Sequence, residues 1–233
     1  MEFDARSLLG LAGIVLDGQH LEHVLDRVAR IAQQTLPGAV EVSLTLMRGD
    51  EPFLAASTGP LAADAARVQY ERGQGPSIDA ARAGLVLRID DTETETRWPD
   101  YTAGAAAHGV RSSLSAPLPI QDELIGTLNA YSTAPGAFPA DQVPAAETIA
   151  SYAAVAVHNA RTLVEVSDLA RQMTRAMASR AVIEQAKGML VESRRCGPDE
   201  AFAVLTNLSQ LTNTKLREVA RRMVEGAART GRP

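Results

Sequence analysis

Apolar residues recur along this chain at three different spacings, and each spacing predicts a different kind of element. Leu8, Leu9, Ile14, Leu16, Leu21, Val24, Leu25, Val28 and Ile31 fall at largely helical intervals. Asp17 and the Gly18–Gln19 step can start a helix that runs to about Leu36, where Pro37–Gly38 ends it. The spacing then shortens to every second residue: Val40, Val42, Leu44 and Leu46 alternate with Glu41, Ser43 and Thr45, the pattern of a strand with one buried face. Arg48 to Pro52 turns the chain and Phe53 to Ser57 returns as a hairpin partner. A further strand is expected at Leu85 to Ile89, and a pair at Ser112 to Pro119 and Leu124 to Tyr131 around the polar turn Gln121–Asp122–Glu123. Helices before, between and after antiparallel strands predict an α+β sandwich.

From Asp141 the pattern becomes helical again, with no glycine or proline between Pro144 and Gly188. Tyr152, Ala156, Asn159, Leu163, Val166, Ala170, Met173 and Met177 recur at alternating steps of four and three, which keeps one seam on one side of a slightly underwound helix. This predicts a coiled-coil seam and a homodimer, with Asn159 inside the seam as a register-fixing polar residue. The repeat restarts at Ile183, Ala186 and Leu190, so the buried face rotates and Ala178 to Val182 forms a junction. Three helical patterns follow within residues 180 to 228. The first ends near Glu192–Ser193. The second starts at Gly197–Pro198 and is expected to bury Phe202, Leu205, Leu208 and Leu211. Thr212–Asn213–Thr214 breaks it and can cap the third, whose apolar stripe is Leu216, Val219, Ala220, Met223 and Val224. The domains expected are therefore 1–160, a connecting helix 161–179, and 180–233.

Charge changes this picture at the C-terminal end. The formal net charge is −5, but residues 1–160 carry 10 arginines against 20 carboxylates, while residues 161–233 carry 13 basic against 8 acidic side chains. Both lysines, Lys187 and Lys215, lie in the basic part. A net +5 segment behind a net −10 domain suits a polyanionic partner at that end. There is no apolar run long enough to span a bilayer and no basic leader at Met1–Arg6, so no membrane association and a cytoplasmic location are expected. The single cysteine, Cys196, excludes an internal disulfide and suits a reducing compartment. His20 and His23 lack a third ligand, and His108 can as well be a helix-end residue as a ligand. Ser113 and Ser115 near Asp122 and Glu123 carry no triad motif. Neither a catalytic constellation nor a cofactor is called for, and the chain is not expected to be an enzyme.

Two runs of motifs add a resemblance. Gly73-Gln74-Gly75-Pro76-Ser77-Ile78, Gly84-Leu85-Val86, Asp90-Asp91, Arg97-Trp98-Pro99, Gly109-Val110-Arg111-Ser112, Ala116-Pro117-Leu118, Ile125-Gly126-Thr127-Leu128-Asn129 and Pro135-Gly136-Ala137-Phe138 follow one another as in a GAF domain, over roughly residues 15–160. The resemblance implies a small-molecule sensing or dimerisation module with a pocket on one face of its sheet. Many relatives carry cysteine directly after the Gly-Pro pair; Ser77 stands here, which disfavours thiol chemistry. Ser179 to Leu190, Asp199-Glu200-Ala201-Phe202, Leu205, Ser209-Gln210, Asn213 and Lys215 to Ala220 resemble an ANTAR domain, over about residues 168–228.

The implied fold class is α+β: a GAF-type antiparallel sheet with flanking helices, a long coiled-coil connecting helix and a C-terminal all-α three-helix ANTAR bundle. The implied function is a signal-responsive regulator that binds paired short-loop RNA hairpins in nascent transcripts and prevents transcription termination, with an unidentified small-molecule or protein signal at the GAF domain. Carried onto this chain, Arg180, Gln185, Lys187, Gly188, Asn213, Lys215 and Arg217 become recognition candidates, joined by Arg221 one turn beyond Arg217. Structural readings stand beside them: Gly188 can serve close helix packing, Gln185 and Asn213 can bond locally, Arg180 can pair with Glu184, and Glu218 can pair with Arg222. The competing function is a dimeric DNA-binding repressor that senses a small molecule and places its third helix in a major groove.

Overall fold

The computed structural model of the protein describes residues 21–230. Leu8, Leu9, Ile14, Leu16, His20 and the helix start expected at Asp17 to Gln19 lie outside the described residues. The chain divides into two compact units, up to Val164 and from Glu165.

The first unit opens with helix α1 (Leu21–Thr35). Strands β1 (Glu41–Arg48) and β2 (Glu51–Ser57) then form an antiparallel hairpin in which Arg48 pairs with Glu51 across a two-residue loop. Helices α2 (Pro60–Arg72), α3 (Pro76–Ala83) and α4 (Pro99–Ala107) each begin on a proline, whose fixed φ and missing N–H suit the first helical position. Strand β3 (Leu87–Ile89) lies between α3 and α4. Strands β4 (Ser112–Ile120) and β5 (Glu123–Ser132) close a second hairpin, with Gln121 left-handed at φ 52° in its two-residue loop. All pairs are antiparallel and the sheet order is β2-β1-β5-β4-β3.

One sheet face is apolar. Val42, Leu44, Leu46, Leu114, Ala116, Leu118, Leu128 and Ala130 are buried against Val24, Leu25, Val28, Ala29 and Ala32 of α1 and a stripe from Ala146 to Ala160. Each large side chain fully buried here contributes roughly 1.5–3 kcal/mol of apolar transfer energy. The stripe belongs to α5 (Val143–Arg194), a 52-residue helix that follows a short 3-10 turn at Ala140–Gln142. The expected junction Ala178 to Val182 lies inside this unbroken helix.

The opposite face differs from the sequence expectation. Glu41, Ser43 and Thr45 alternate with the apolar positions as a solvent-facing set would, yet Ser43 and Thr45 are fully buried. The cause is a second layer of helices: α2 and α4 contribute Ala62, Ala65, Val68, Tyr101 and Ala105, which pack with Ile89, Trp98, Val110 and Tyr131.

In the second unit the end of α5, α6 (Pro198–Leu211) and α7 (Leu216–Thr230) enclose Ala186, Leu190, Ala201, Leu205, Val219 and Ala220. Leu216, Met223 and Val224 are partly buried beside them, as the stripe predicts. The expectation for α6 needs correction: Leu205 is buried, but Phe202 is 45 % and Leu211 84 % exposed, and Leu208 is exposed too. Ala201 and Leu205, one turn apart, face the small core, and among the described residues no further helix of this unit covers the rest.

Candidate functional site

On the covered sheet face the strand register assembles a set of uncharged polar side chains. Ser43 pairs with Asn129 and Thr45 with Thr127 across β1 and β5, while Ser115 pairs with Asn129 and Ser113 with Tyr131 across β4 and β5. All of these residues are buried. Asn129 Nδ2 donates to Thr45 Oγ1 at 3.0 Å and to Thr127 Oγ1 at 3.3 Å, and the Tyr70 hydroxyl bonds Thr45 Oγ1 at 2.8 Å. Ser77 occupies the middle: its hydroxyl meets Thr127 Oγ1 at 2.6 Å and Thr45 Oγ1 at 3.2 Å, and its N–H donates to Gln69 Oε1 at 2.8 Å. The Gly-Pro step before it explains the fit. Gly75 sits at φ 149°, and a Cβ there would meet Gln69 Oε1 at 2.4 Å, so only glycine lets the Gln69 amide reach the start of α3.

Asn129 Oδ1 and Ser115 Oγ of this face are buried without a hydrogen-bond partner among the described residues, while the Tyr101 hydroxyl lies against Ser113 and the Tyr131 hydroxyl against Gln69. Burial pushes the Tyr70 hydroxyl up to about 12, against an opposing pull from its bond to Thr45. It also raises Tyr101 and Tyr131 well above the tyrosine range, so the face is neutral at physiological pH. Trp98 is a buried anchor whose indole N–H donates to Asp79 Oδ2 at 2.7 Å, with Arg97 stacked 4.5 Å from its ring. His108 is a helix-end residue with Nδ1 3.5 Å from Asp64. The polar face was not anticipated as a site. Its signal is present in the sequence, because the i, i+2 pairs Ser43/Thr45, Ser113/Ser115 and Thr127/Asn129 put no charge where a solvated strand face commonly carries one.

In the second unit Arg180, Gln185, Gly188, Asn213, Lys215, Arg217 and Arg221 are exposed, and Lys187 is half-buried. Among the described residues Gly188 has nothing within 4 Å of where a Cβ would stand, so close packing against them does not explain it. Lys187 Nζ takes Glu184 as partner at 2.7 Å, in place of the alternative Arg180–Glu184 pair. Arg221 takes Glu218 at 2.9 Å, in place of the Glu218–Arg222 pair considered from spacing. Arg217 has no ion pair among the described residues. Asn213 adopts a left-handed φ of 47° at the end of α6. The Thr214 hydroxyl donates to Thr212 O rather than to the first turn of α7, and Lys215 O accepts from Glu218 N and Val219 N. The turn thus presents Asn213, Lys215 and Arg217 together at the start of α7. Cys196 is half-buried, with Sγ 3.7 Å from Leu190 O.

Along α5 the expected seam divides. Ala156 is only 9 % exposed and belongs to the first unit's apolar core, which corrects its assignment to a seam. Tyr152, Asn159, Leu163, Val166, Ala170, Met173 and Met177 are exposed, as are Val155 and Leu169, and no residue from Arg161 to Ala178 is buried. No helix of the described residues is long and apolar enough to cross a membrane.

Comparison with known proteins places these two units. The family profile for the GAF domain matches residues 18–158, and that for the ANTAR domain matches residues 171–224. Among curated proteins no sequence relative matches the chain. The fold resembles a free methionine-R-sulfoxide reductase from Neisseria meningitidis, solved with its substrate, at 21 % identity and TM-score 0.54, over 70 % of this chain and 90 % of that one. It also resembles the GAF domain of an Acinetobacter phosphoenolpyruvate-protein phosphotransferase at 12 % identity and TM-score 0.53, over 71 % and 99 % of the two chains. A domain of a two-component sensor histidine kinase protein from Sinorhizobium meliloti 1021 matches at 18 % identity and TM-score 0.52, over 66 % and 98 %. At these identities the likeness concerns the fold alone. GAF is a signal-sensing domain and ANTAR an RNA-binding antitermination domain, an architecture of a regulator rather than an enzyme. The chain belongs to the two-domain GAF-ANTAR regulators, with a GAF domain followed by an ANTAR domain.

Proposed function

We propose that this protein is a dimeric cytoplasmic regulator whose C-terminal unit binds paired short-loop hairpins in nascent transcripts and so prevents transcription termination. A small-molecule or protein signal at the GAF domain tunes that binding. The observation that carries the reading is the bare surface around Gly188 and the α6–α7 turn. A helix-interior glycine with no packing role permits close backbone approach by a partner, and the adjacent module offers Arg180, Lys215 and Arg217 exposed to a phosphate backbone. Gln185 and Asn213 are exposed amides able to read the edges of splayed loop bases, with Lys187 and Arg221 held ready in exchangeable surface ion pairs. Dimerisation is supported by the exposed apolar side chains of α5, Tyr152, Val155, Leu163, Val166, Leu169, Met173 and Met177, which no other described residue buries.

The test is a mobility-shift titration of the full-length protein against a transcript with two adjacent short-loop hairpins and against duplex DNA of equal length. Tighter RNA binding that weakens with salt is expected, and Arg217→Ala should lower the salt slope by about 0.7–1. Undiminished binding by a Lys187→Ala, Arg217→Ala double variant refutes the surface. Tighter binding to the duplex overturns the RNA reading in favour of a major-groove repressor.

A further inference from the structure

The exposed apolar stripe of α5 is wider than one coiled-coil seam. In the alignment read from spacing, Leu163, Ala170 and Met177 take the a positions of a heptad and Asn159, Val166 and Met173 the d positions. Val155 and Leu169 fall outside that set, yet they are 50 % and 58 % exposed, as open as Val166 at 58 %. They obey the same rule in a second alignment. There Asn159, Val166 and Met173 become the a positions, and Val155, Thr162, Leu169 and Ala176 the d positions.

A second copy of α5 is the partner that both alignments fit. Arg161, Glu165, Asp168, Arg171 and Arg175, the charged residues between Val155 and Met177, lie outside both seams. Asp168 and Arg171 pair with each other along their own helix. A neutral stripe therefore meets its own copy, matched in length and pattern, without burying a lone charge, and it continues the dimer surface proposed above. The two alignments differ in the packing they suit. Leu163 at a with Val166 at d reverses the order that favours two strands, whereas Val166 at a with Leu169 at d follows it. The second alignment also moves Asn159 to an a position, where one polar residue fixes register. At the N-terminal end Ala156, an a position of the first alignment, is inside the GAF core, while Val155 is open to the second.

Resting on the reading that α5 dimerises, we infer that the α5 pair has two alternative seams that share Asn159, Val166 and Met173, and that it exchanges them by axial rotation of the helices. The rotation is half the step between successive helical residues, roughly 50°. A two-stranded coil closes one seam at a time. Neither seam holds an ion pair that must break, and Met173 and Met177 are unbranched side chains that repack readily. The recognition candidates carried by the same helix, Arg180, Gln185 and Gly188, turn with it relative to their counterparts on the second copy. The Val166–Leu169 seam is the RNA-binding state, because its packing is the one that suits two parallel strands and so holds two recognition surfaces side by side.

The experiment uses the full-length protein with Cys196→Ser, to which Val166→Cys, Leu169→Cys or Ala170→Cys is added singly, each oxidised with diamide. Across a parallel pair a cysteine at a seam position lies within disulfide reach of its counterpart, and one at a flanking position does not. Val166 is in both seams, Leu169 in the second alone and Ala170 in the first alone. All three variants should cross-link. A transcript with two adjacent short-loop hairpins should raise the yield of Leu169→Cys relative to Ala170→Cys by about three-fold or more. The purified Leu169→Cys dimer should bind that transcript about ten-fold more tightly than the Ala170→Cys dimer. Cross-linking at one of these two positions alone overturns the alternation, as do equal RNA affinities of the two locked dimers. A tetramer in analytical ultracentrifugation also overturns it, because the whole stripe is then covered at once. Failure of Val166→Cys to cross-link, with a monomer in the same ultracentrifugation, removes the dimer reading itself. Cross-linking at both Leu169→Cys and Ala170→Cys in a protein that binds no RNA supports the two seams and overturns the RNA-binding assignment, so the two failures are distinguishable.

Discussion

Replacing Gly188 by alanine separates what the helix wants from what the partner needs. Gly188 lies six residues inside the end of α5, in regular helix, with open space where a Cβ would stand. Alanine therefore brings no clash and removes the extra backbone freedom of glycine in the unfolded chain, worth roughly 0.5–1 kcal/mol in a helix interior. The folded C-terminal unit should be more stable by about that amount, which slows amide exchange around Glu184 to Glu192 by about two- to five-fold where exchange proceeds by local opening. If RNA backbone or a base edge approaches this bare surface, the added methyl blocks it. Affinity for the paired-hairpin transcript should then fall by about ten-fold, a loss of about 1.4 kcal/mol. The assays are hydrogen exchange followed by mass spectrometry and a mobility-shift titration on one preparation. Greater protection with unchanged RNA affinity refutes a binding role for Gly188. Reduced protection refutes the claim that its surroundings are open.

The remaining expectations concern the dimer, the GAF scaffold and its tyrosines. Val166→Asp puts a charge in the exposed stripe of α5, and should weaken self-association by roughly 100-fold in analytical ultracentrifugation while leaving the melting of the GAF domain unchanged. Ala156→Asp should instead unfold that domain, because Ala156 is inside its core, so equal effects of the two variants refute the division of the seam. Glu41→Gln should cost about 1 kcal/mol in denaturant unfolding, since the carboxylate accepts from Ala62 N at the start of α2, where Gly59 provides no side-chain cap. No loss would show that α2 needs no such acceptor. For pH, the folded Tyr70 hydroxyl ionises at about 12 against an ordinary value of 10, so the unfolded chain releases its proton first. Stability is then undiminished by this group below pH 10 and falls as pH rises from 10 towards 12. Tyrosinate absorbance from Tyr70, Tyr101 and Tyr131 should appear together with unfolding followed by circular dichroism, and its appearance in a still-folded domain refutes their burial.

Much of the molecule is legible from local rules. The apolar face of β1, the two hairpins, the proline starts of helices and the stripe of α7 all follow from spacing and turn chemistry, which act between near neighbours. Gly188 and the run from Asn213 to Arg217 were also visible as candidates, because the motifs that carry them are contiguous. The buried polar face was not, because alternation in β1 marks two faces without saying whether the second meets water or another layer of helices. Ion pairing was equally beyond spacing: Glu184 can reach Arg180 or Lys187 and Glu218 can reach Arg221 or Arg222, and the structure pairs Glu184 with Lys187 and Glu218 with Arg221.

The sequence by itself determined the order of modules, a GAF domain, a helix running on from it and a basic three-helix unit, since periodicity, charge and motif order are one-dimensional properties. Only the tertiary structure decided which residues of each element face protein. It took Ala156 out of the seam, left Phe202, Leu208 and Leu211 exposed on a core too small to cover them, and drew Ser43, Ser77, Ser113, Ser115 and Asn129 from β1, α3, β4 and β5 into one neutral interior. Burial depends on what the rest of the chain places opposite a residue, and strand register with helix layering fixes that only when distant segments meet.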